Sequence, residues 1–224
     1  NVQLIEVDQP VLVCTRHQPG GRGREQRTWI SEDGCGVYCS LGMRLNLSGH
    51  LHLVSLATGI AVAETLDQFH PGAYLLKWPN DLLLAGKKIA GILIENVIEA
   101  ECIHSIIGIG ININNEFMQF PQSLKGMVTS LKQQAGKSFS LEEIRCALVE
   151  RVLAWIASLE AGAIGQVINR FNELSLPLKS RPISFHVNQR QVNGIYRGID
   201  HDGAVEIEID GGEIQRFYSG EIRV

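Results

Sequence analysis

The chain has 224 residues, with 20 Lys and Arg against 24 Asp and Glu and a formal net charge of −4. That length can bury a sizeable core and hold one large and one small domain. The acidic balance argues against a general nucleic-acid binder, which needs a broad basic field, and no stretch is apolar for long enough to span a membrane or pattern a secretory leader.

In chain order, Val11-Leu12-Val13-Cys14 reads as a buried strand, and so does Gly36-Val37-Tyr38-Cys39-Ser40-Leu41. Between them lies Gln18-Pro19-Gly20-Gly21-Arg22-Gly23-Arg24, followed by Arg27 and Trp29. Its glycines let the backbone approach a ligand closely. Its arginines are permanently charged forks suited to carboxylate or phosphate oxygens. An Arg-Gly run can also be a disordered nucleic-acid tail, but a position between two apolar strands favours a ligand-binding loop.

Ser48 to Phe69 carries apolar residues at Leu51, Val54, Ala57, Ile60, Ala61 and Val62, which predicts a largely buried helix ending before His70-Pro71-Gly72. His50 and His52 fall two positions apart in that segment and would face different ways, which argues against a metal site. Lys77 to Glu95 reads KWPNDLLLAGKKIAGILIE. An aromatic-Pro-Asn-Asp turn, two apolar runs and a Gly-Lys-Lys signal predict a hairpin that presents Lys88 at the start of the return strand. A surface hairpin lysine is the plainer alternative; a lysine held on a strand suits a fixed site for negative charge.

Ile106 to Asn114 reads IIGIGININ, a central strand buried on both faces. Gly108 and Gly110 leave one face bare, either as a ligand floor or for packing against a helix. The spacing of a dinucleotide fingerprint is absent. Ser140-Leu141-Glu142-Glu143 is a capping box, and Ile144, Leu148, Val152, Trp155 and Leu159 follow at helical spacing as scaffold. Alternating strands and helices predict an α/β body with a mixed sheet. A boundary near Leu176 to Pro182 divides residues 1–178 from residues 179–224. Turn signals at Val187-Asn188, Asp200 to Gly203, Asp210 to Gly212 and Ser219 to Glu221 then predict a small β-barrel. The five cysteines, Cys14, Cys35, Cys39, Cys102 and Cys146, form no C-x-x-C pair. They predict buried thiols in a reducing cytoplasm rather than disulfides or zinc.

Four motifs in order, GRGR-x-x-R-x-W at Gly21 to Trp29, KWPND at Lys77 to Asp81, K-x-x-G-I-L at Lys88 to Leu93 and G-x-G-I-N at Gly108 to Asn112, resemble the biotin protein ligase family over nearly the whole chain. The resemblance implies a biotin- and ATP-binding catalytic domain followed by an SH3-like domain over the active site. It also implies adenylation of biotin by ATP with magnesium, then transfer of biotin to a lysine of a biotin carboxyl carrier domain. By resemblance, Lys88 and Arg24 are catalytic, and Gln18, Gly21, Arg22, Gly23, Arg24, Lys88, Gly91 and Gly110 line the biotin site. Arg24, Arg27, Trp29, Asn80, Lys88 and Asn112 fall to ATP and the adenylate. Asp81 is a single candidate magnesium ligand, with a turn-stabilising part for Asn80 and Asp81 as the alternative.

Two departures stand out. Gln26 replaces the glycine usual in the loop, which puts the loop's path in question. The Ser-Thr-Asn wall of the biotin pocket is reduced to Asn1, so the chain reads as truncated at its N-terminus. No winged helix-turn-helix is present in the sequence, so the expectation is a ligase without DNA or membrane partners, with homodimerisation common in the family. A lipoate-attaching enzyme and a catalytically silent biotin-sensing module are the alternatives. Gln18 and the GRGR run favour biotin's ureido ring over a dithiolane, and intact Lys88, Arg22 and Arg24 argue against silence.

Overall fold

A computed structural model describes residues 9–47, 49–99, 102–118, 120–187 and 190–223. The strands are β1 (Val11–Thr15), β2 (Gly36–Leu45), β3 (Tyr74–Lys77), β4 (Asp81–Leu84), β5 (Lys87–Glu99) and β6 (Cys102–Asn112), with helix α1 (Leu53–Phe69) between β2 and β3. Helices α2 (Leu131–Ala135), α3 (Leu141–Glu160) and α4 (Ile164–Leu174) follow. The six strands form one sheet in the order β1-β2-β6-β5-β4-β3.

Every ladder of that sheet is antiparallel, which corrects the expected mixed sheet. The reason is connectivity. From β3 to β6 the chain runs as successive hairpins, and only α1 intervenes earlier, carrying the chain to the far edge. The α/β class itself holds, because the helices cover one face of the sheet. Ile89, Ala90, Ile92, Ile107, Ile109 and Ile111 bury that face beneath α1, whose residues from Leu53 to Leu66 are almost all buried. A side chain at Gly59 would meet Leu76 Cδ2 at 3.0 Å, so the glycine lets α1 lie close on the strands. Helix α1 begins at Leu53 rather than near position 48, because His50 adopts φ 57° and breaks the helical path. Ser48, the expected start, lies outside the described residues, as do Asn1 and Asn188.

Helix α3 follows its sequence signal. Ser140 caps it, its side chain accepting from Glu143 N at 3.3 Å. Ile144, Leu148, Val152, Ile156 and Leu159 form the buried stripe. Trp155 stands at its margin and donates Nε1 to Glu64 Oε2 at 3.1 Å. Glu64 also takes Arg151 and Arg170, so α1, α3 and α4 share one carboxylate.

The opposite face of the sheet is open. Gly91 pairs directly with Gly110, leaving a patch without side chains across two central strands, and Gly108 extends it along β6 opposite Leu93. Trp29 lies on half of it: a side chain at Gly110 would meet the indole Cε2 at 2.6 Å, and one at Gly91 would meet Cζ3 at 3.1 Å. Above Gly108 no side chain comes so close. The bare strand face read from the sequence is therefore present, with one end covered by the protein's own tryptophan.

The C-terminal unit comprises β7 (Pro182–Val187), β8 (Arg190–Ile199), β9 (Val205–Glu208), β10 (Ile214–Phe217) and β11 (Glu221–Arg223), ordered β10-β9-β8-β7-β11. It is an open five-stranded sheet rather than the closed barrel expected, because β10 and β11 are the two edges and do not pair. Phe185 on β7 nevertheless meets Phe217 on β10 at 4.7 Å between ring centroids. Three strand spacings of roughly 4.8 Å would separate those strands in a flat sheet, so the sheet curls around this contact.

The unit is seated on the larger domain by Trp78, which is buried, packs 5.9 Å from Phe185 and donates Nε1 to Gly203 O at 3.3 Å. Gly203 has φ +87° and sits where any side chain would strike Leu53 Cδ2 on α1. The cysteine expectation is corrected in part. Cys39 is buried, but Cys14 and Cys146 are exposed, since β1 is an edge strand and Cys146 lies on the outer side of α3.

Two outcomes follow from this packing. Ser140→Ala removes the α3 cap and should lower stability by about 1 kcal/mol in urea unfolding; an unchanged midpoint would mean the cap contributes nothing. Gly110→Ala should push the Trp29 ring off the sheet and shift tryptophan emission while far-ultraviolet dichroism stays constant. Unchanged emission would contradict the placement of the indole.

Candidate functional site

The open sheet face, the loop after β1, the β4–β5 hairpin and the chain from Phe120 to Val128 enclose a cleft of about 670 Å³, within the usual range of roughly 300–1,000 Å³ for small-molecule sites. All thirteen residues singled out from the sequence line it. The structure therefore gathers them in one place, though it gives several of them partners that the sequence did not suggest.

Lys88 owes its position to an irregularity. Ala85 (φ 51°) and Gly86 (φ 73°) make the tight turn between β4 and β5, matching strand twist as primed turns do. Leu83 then pairs with Lys88, but Leu82 pairs with Ala90, so Ile89 is an extra residue. Regular alternation would put Lys88 and Gly91, three apart, on opposite faces. The bulge buries Ile89 and Ala90 consecutively and returns both Lys88 and Gly91 to the cleft. A side chain at Gly91 would lie 3.4 Å from Lys88 Nζ. The Lys88 backbone is held from the other side as well, its N–H donating to Met127 O and its C=O accepting from Thr129 N, both at 2.9 Å.

In this conformation the cleft cations are compensated by the protein itself. Lys88 Nζ lies 2.6 Å from Asp81 Oδ1 and 5.7 Å from the Trp29 ring centroid. Arg22 pairs with Glu95 at 2.9 Å. Arg27 reaches Glu221 at 2.5 Å and Glu25 at 3.2 Å. The hydrogen bond from Arg27 holds the Glu221 carboxyl well down, to about 2. Arg24, whose guanidinium is lowered from its ordinary value by burial, donates to Gly220 O at 3.1 Å. Among the described residues it is the one loop arginine lining the cleft with no carboxylate within salt-bridge distance. Arg24 and Arg27 thus tie the loop to the turn before β11, rather than standing free toward phosphates.

The loop closes on itself through Trp29 N to Gly21 O at 2.9 Å and Gly23 N to Arg27 O at 2.7 Å. At its tip Glu25 (φ 54°) and Gln26 (φ 62°) are left-handed. The position where the family carries glycine thus keeps a glycine-like backbone despite holding glutamine, which costs roughly 1–2 kcal/mol there.

Asn80 acts on the hairpin: its side-chain Nδ2 donates to Ile92 O at 2.9 Å, and its backbone carbonyl accepts from Ile92 N at 3.0 Å. Asn80 makes the contacts expected of a turn-stabilising residue, and Asp81 pairs with Lys88. Asn112 is 2% exposed and its Oδ1 has no hydrogen-bond partner among the described residues. A buried acceptor without a donor is costly, so one facing a cleft marks a place for a ligand N–H. Gln18 is held through its backbone, N–H to Ser31 Oγ at 2.8 Å, and its side chain makes no hydrogen bond among the described residues.

Sequence reasoning missed three contributors. Ser40 on β2 faces the cleft beside Gly108, Lys77 lines it near Glu221, and the wall from Phe120 to Val128 closes one side. Lys77 could have been taken from its motif. The wall has no repeat or charge signature to mark it.

Asp81 is, among the described residues, the one carboxylate within salt-bridge distance of Lys88. Among the described residues, the one grouping of three possible metal ligands is Asp200-His201-Asp202, where Arg216 bridges both carboxylates. A metal in the cleft would have Asp81 and few other protein ligands, which fits magnesium carried on phosphates.

Residues 2–112 match the Biotin/lipoate A/B protein ligase family, and residues 181–224 match the Biotin protein ligase C terminal domain. The chain is 33% identical over 221 residues to the bifunctional ligase/repressor BirA of Bacillus subtilis, covering 95% of this chain but 66% of that protein's length. It is 30% identical over 214 residues to the biotin–[acetyl-CoA-carboxylase] ligase of Mycobacterium tuberculosis, covering 92% of this chain and 76% of the relative. The structure superposes on the biotin protein ligase of Aquifex aeolicus in complex with biotin and ATP, with a TM-score of 0.82, 25% identity, and coverage of 95% of this chain and 87% of that one. With the four motifs gathered on one cleft, and relatives that agree over more than nine-tenths of its length, the chain belongs to the biotin protein ligase family.

Proposed function

We propose that the protein adenylates biotin at the expense of ATP and transfers the biotinyl group to a lysine of a biotin carboxyl carrier domain. The observation that carries this reading is Lys88, fixed by the bulge on the floor of a cleft where Arg22, Arg27 and Lys88 itself already hold carboxylates. A carboxylate is a poor electrophile, so it attacks the α-phosphorus of ATP, forming a mixed anhydride and releasing pyrophosphate. Charge grows on the phosphoryl oxygens, and a preorganised cation aimed at them contributes the largest catalytic effect. Lys88 would exchange Asp81 for the biotin carboxylate and the α-phosphate, and Arg24 would follow from Gly220 O. The carrier lysine then attacks the anhydride carbonyl, and AMP leaves; no protein nucleophile is required.

Binding roles follow the same geometry. The free amide of Gln18 suits the ureido ring, beside Gly21, Arg22 and Gly23. Trp29, laid over Gly91 and Gly110, bounds the acid's site at that end and leaves the floor toward Gly108 to the acid, Arg27 flanks the nucleotide, and Asn112 Oδ1 accepts from the adenine amino group. Magnesium supplies charge neutralisation on the phosphates when bound, with Asp81 as its protein contact. We assign residues 1–178 to catalysis and residues 179–224 to a cap over the cleft, acting in the cytoplasm. The edge strand β1, with Val11, Leu12 and Val13 exposed, supports pairing of two copies, and the net charge of −4 supports a role without nucleic acid. No helix among the described residues is long and apolar enough to cross a membrane.

Exchange of labelled pyrophosphate into ATP should depend on biotin and be absent with lipoate or octanoate; exchange with lipoate alone would replace the proposal by a lipoate enzyme. Lys88→Ala should cut biotin-dependent exchange at least ~100-fold with the fold intact, and near-normal exchange would remove Lys88 from the mechanism. Arg24→Gly should still make biotinyl-adenylate but release it to solvent; equal retention by mutant and parent would count against Arg24 as a clamp. Glu221→Gln should free the loop and speed tryptic cleavage after Arg24 and Arg27. Because the Glu221 carboxyl is depressed to about 2, the latch is intact above its ordinary range near 4.5 and is lost only as pH falls through about 2. Loss of protease protection already at mildly acidic pH would contradict that pairing.

A further inference from the structure

We propose that Cys14 and Cys39 form a reversible disulfide that clips β1 to the rest of the sheet. The two residues are direct partners in the β1–β2 ladder. Cross-strand neighbours in antiparallel pairs have Cα atoms roughly 4.5–5.5 Å apart, inside the roughly 4.4–6.8 Å that a disulfide accepts. As directly opposed residues of one ladder, both side chains project from the same face.

Their environments divide the labour. Cys14 is exposed on the edge strand, whereas Cys39 is 3% exposed beneath it. Arg145 on α3 lies beside the pair, while also pairing with Glu142. The hydrogen bond from Cys39, aided by Arg145, brings the Cys14 thiol down to about 6, and Cys39 is pushed up by the same bond and by burial. Cys14 is therefore the attacking thiolate and Cys39 the resolving thiol.

The oxidant is a low-molecular-weight disulfide of the glutathione class. The Cys14 thiolate attacks one of its sulfurs, breaking that S–S bond and releasing one thiolate, which takes a proton from water. Cys39 then loses its proton and attacks Cys14 Sγ in the mixed disulfide, releasing the second thiol. Two cysteine thiols are oxidised and one external disulfide is reduced to two thiols; excess reducing thiol reverses both steps.

Among the described residues, strand β1 pairs with β2 alone, and it is exposed along all five residues. It leads through Arg16 and His17 directly to Gln18 and the cleft loop. A covalent clip would hold the root of that loop, so the modification acts on a segment the reaction uses without touching a residue assigned to the chemistry.

The test treats the full chain with oxidised glutathione at neutral pH, followed by intact-mass and peptide analysis. The expected product has lost two hydrogens, carries a Cys14–Cys39 link, and shows slower hydrogen exchange in residues 11–15 than the reduced protein. Cys39→Ser should instead accumulate glutathione on Cys14, with Cys39→Ala as the second variant if the buried hydroxyl prevents folding, and Cys14→Ser should form neither product. A stable glutathione adduct on Cys14 of the parent chain, or modification of Cys146 with Cys14 untouched, would overturn the proposal.

Discussion

The extra residue at Ile89 is the constraint on which the cleft depends. One bulge turns two successive side chains, Ile89 and Ala90, into the core and sends Lys88 and Gly91 to the opposite face. From that placement the rest follows. Gly91 faces Gly110 across the ladder, the two make a floor, Trp29 lies on the floor, and Lys88 Nζ reaches Asp81 at its edge. A lysine on a flexible loop would lose more side-chain and backbone entropy on engaging a ligand than one clamped by Met127 and Thr129.

The second theme is compensation. Lys88, Arg22 and Arg27 each hold a carboxylate, and Arg24 holds a carbonyl. These pairs are partly exposed, so each is individually weak, of the order of 0–1 kcal/mol. That weakness suits a site that must trade internal partners for a ligand's carboxylate and phosphates. It avoids both the cost of bare buried cations and the cost of breaking strong pairs. The contacts from Arg24 and Arg27 to Gly220 and Glu221 place the C-terminal unit within the same exchange, because releasing the loop releases its hold on β11.

Much of this was legible before the structure. The glycine alternation in IIGIGININ marked the bare face, the capping box marked α3 to the residue, and the Gly-Lys-Lys signal marked the hairpin. What could not be read has physical reasons. A bulge inserts one residue without changing composition, so the facing of Lys88 was not deducible from periodicity. Strand direction depends on connectivity, which made the sheet antiparallel rather than mixed. Curl without closure in the last sheet depends on how Phe185 meets Phe217, a contact distant in sequence. Trp78 reads as part of a turn motif, yet its main work is to seat the C-terminal unit. The exposure of Cys14 arises because its strand is an edge, a fact of sheet order and not of local pattern.

The reading of this cleft as a biotin ligase site is tested most directly by the complete reaction. Labelled biotin, ATP and magnesium would be incubated with the protein and an isolated biotin carboxyl carrier domain, and the carrier followed by intact mass. The account predicts an ATP-dependent gain of one biotinyl group on the carrier's acceptor lysine. A carrier left unmodified by biotin, while lipoate is transferred to its own carrier domain under the same conditions, would contradict it.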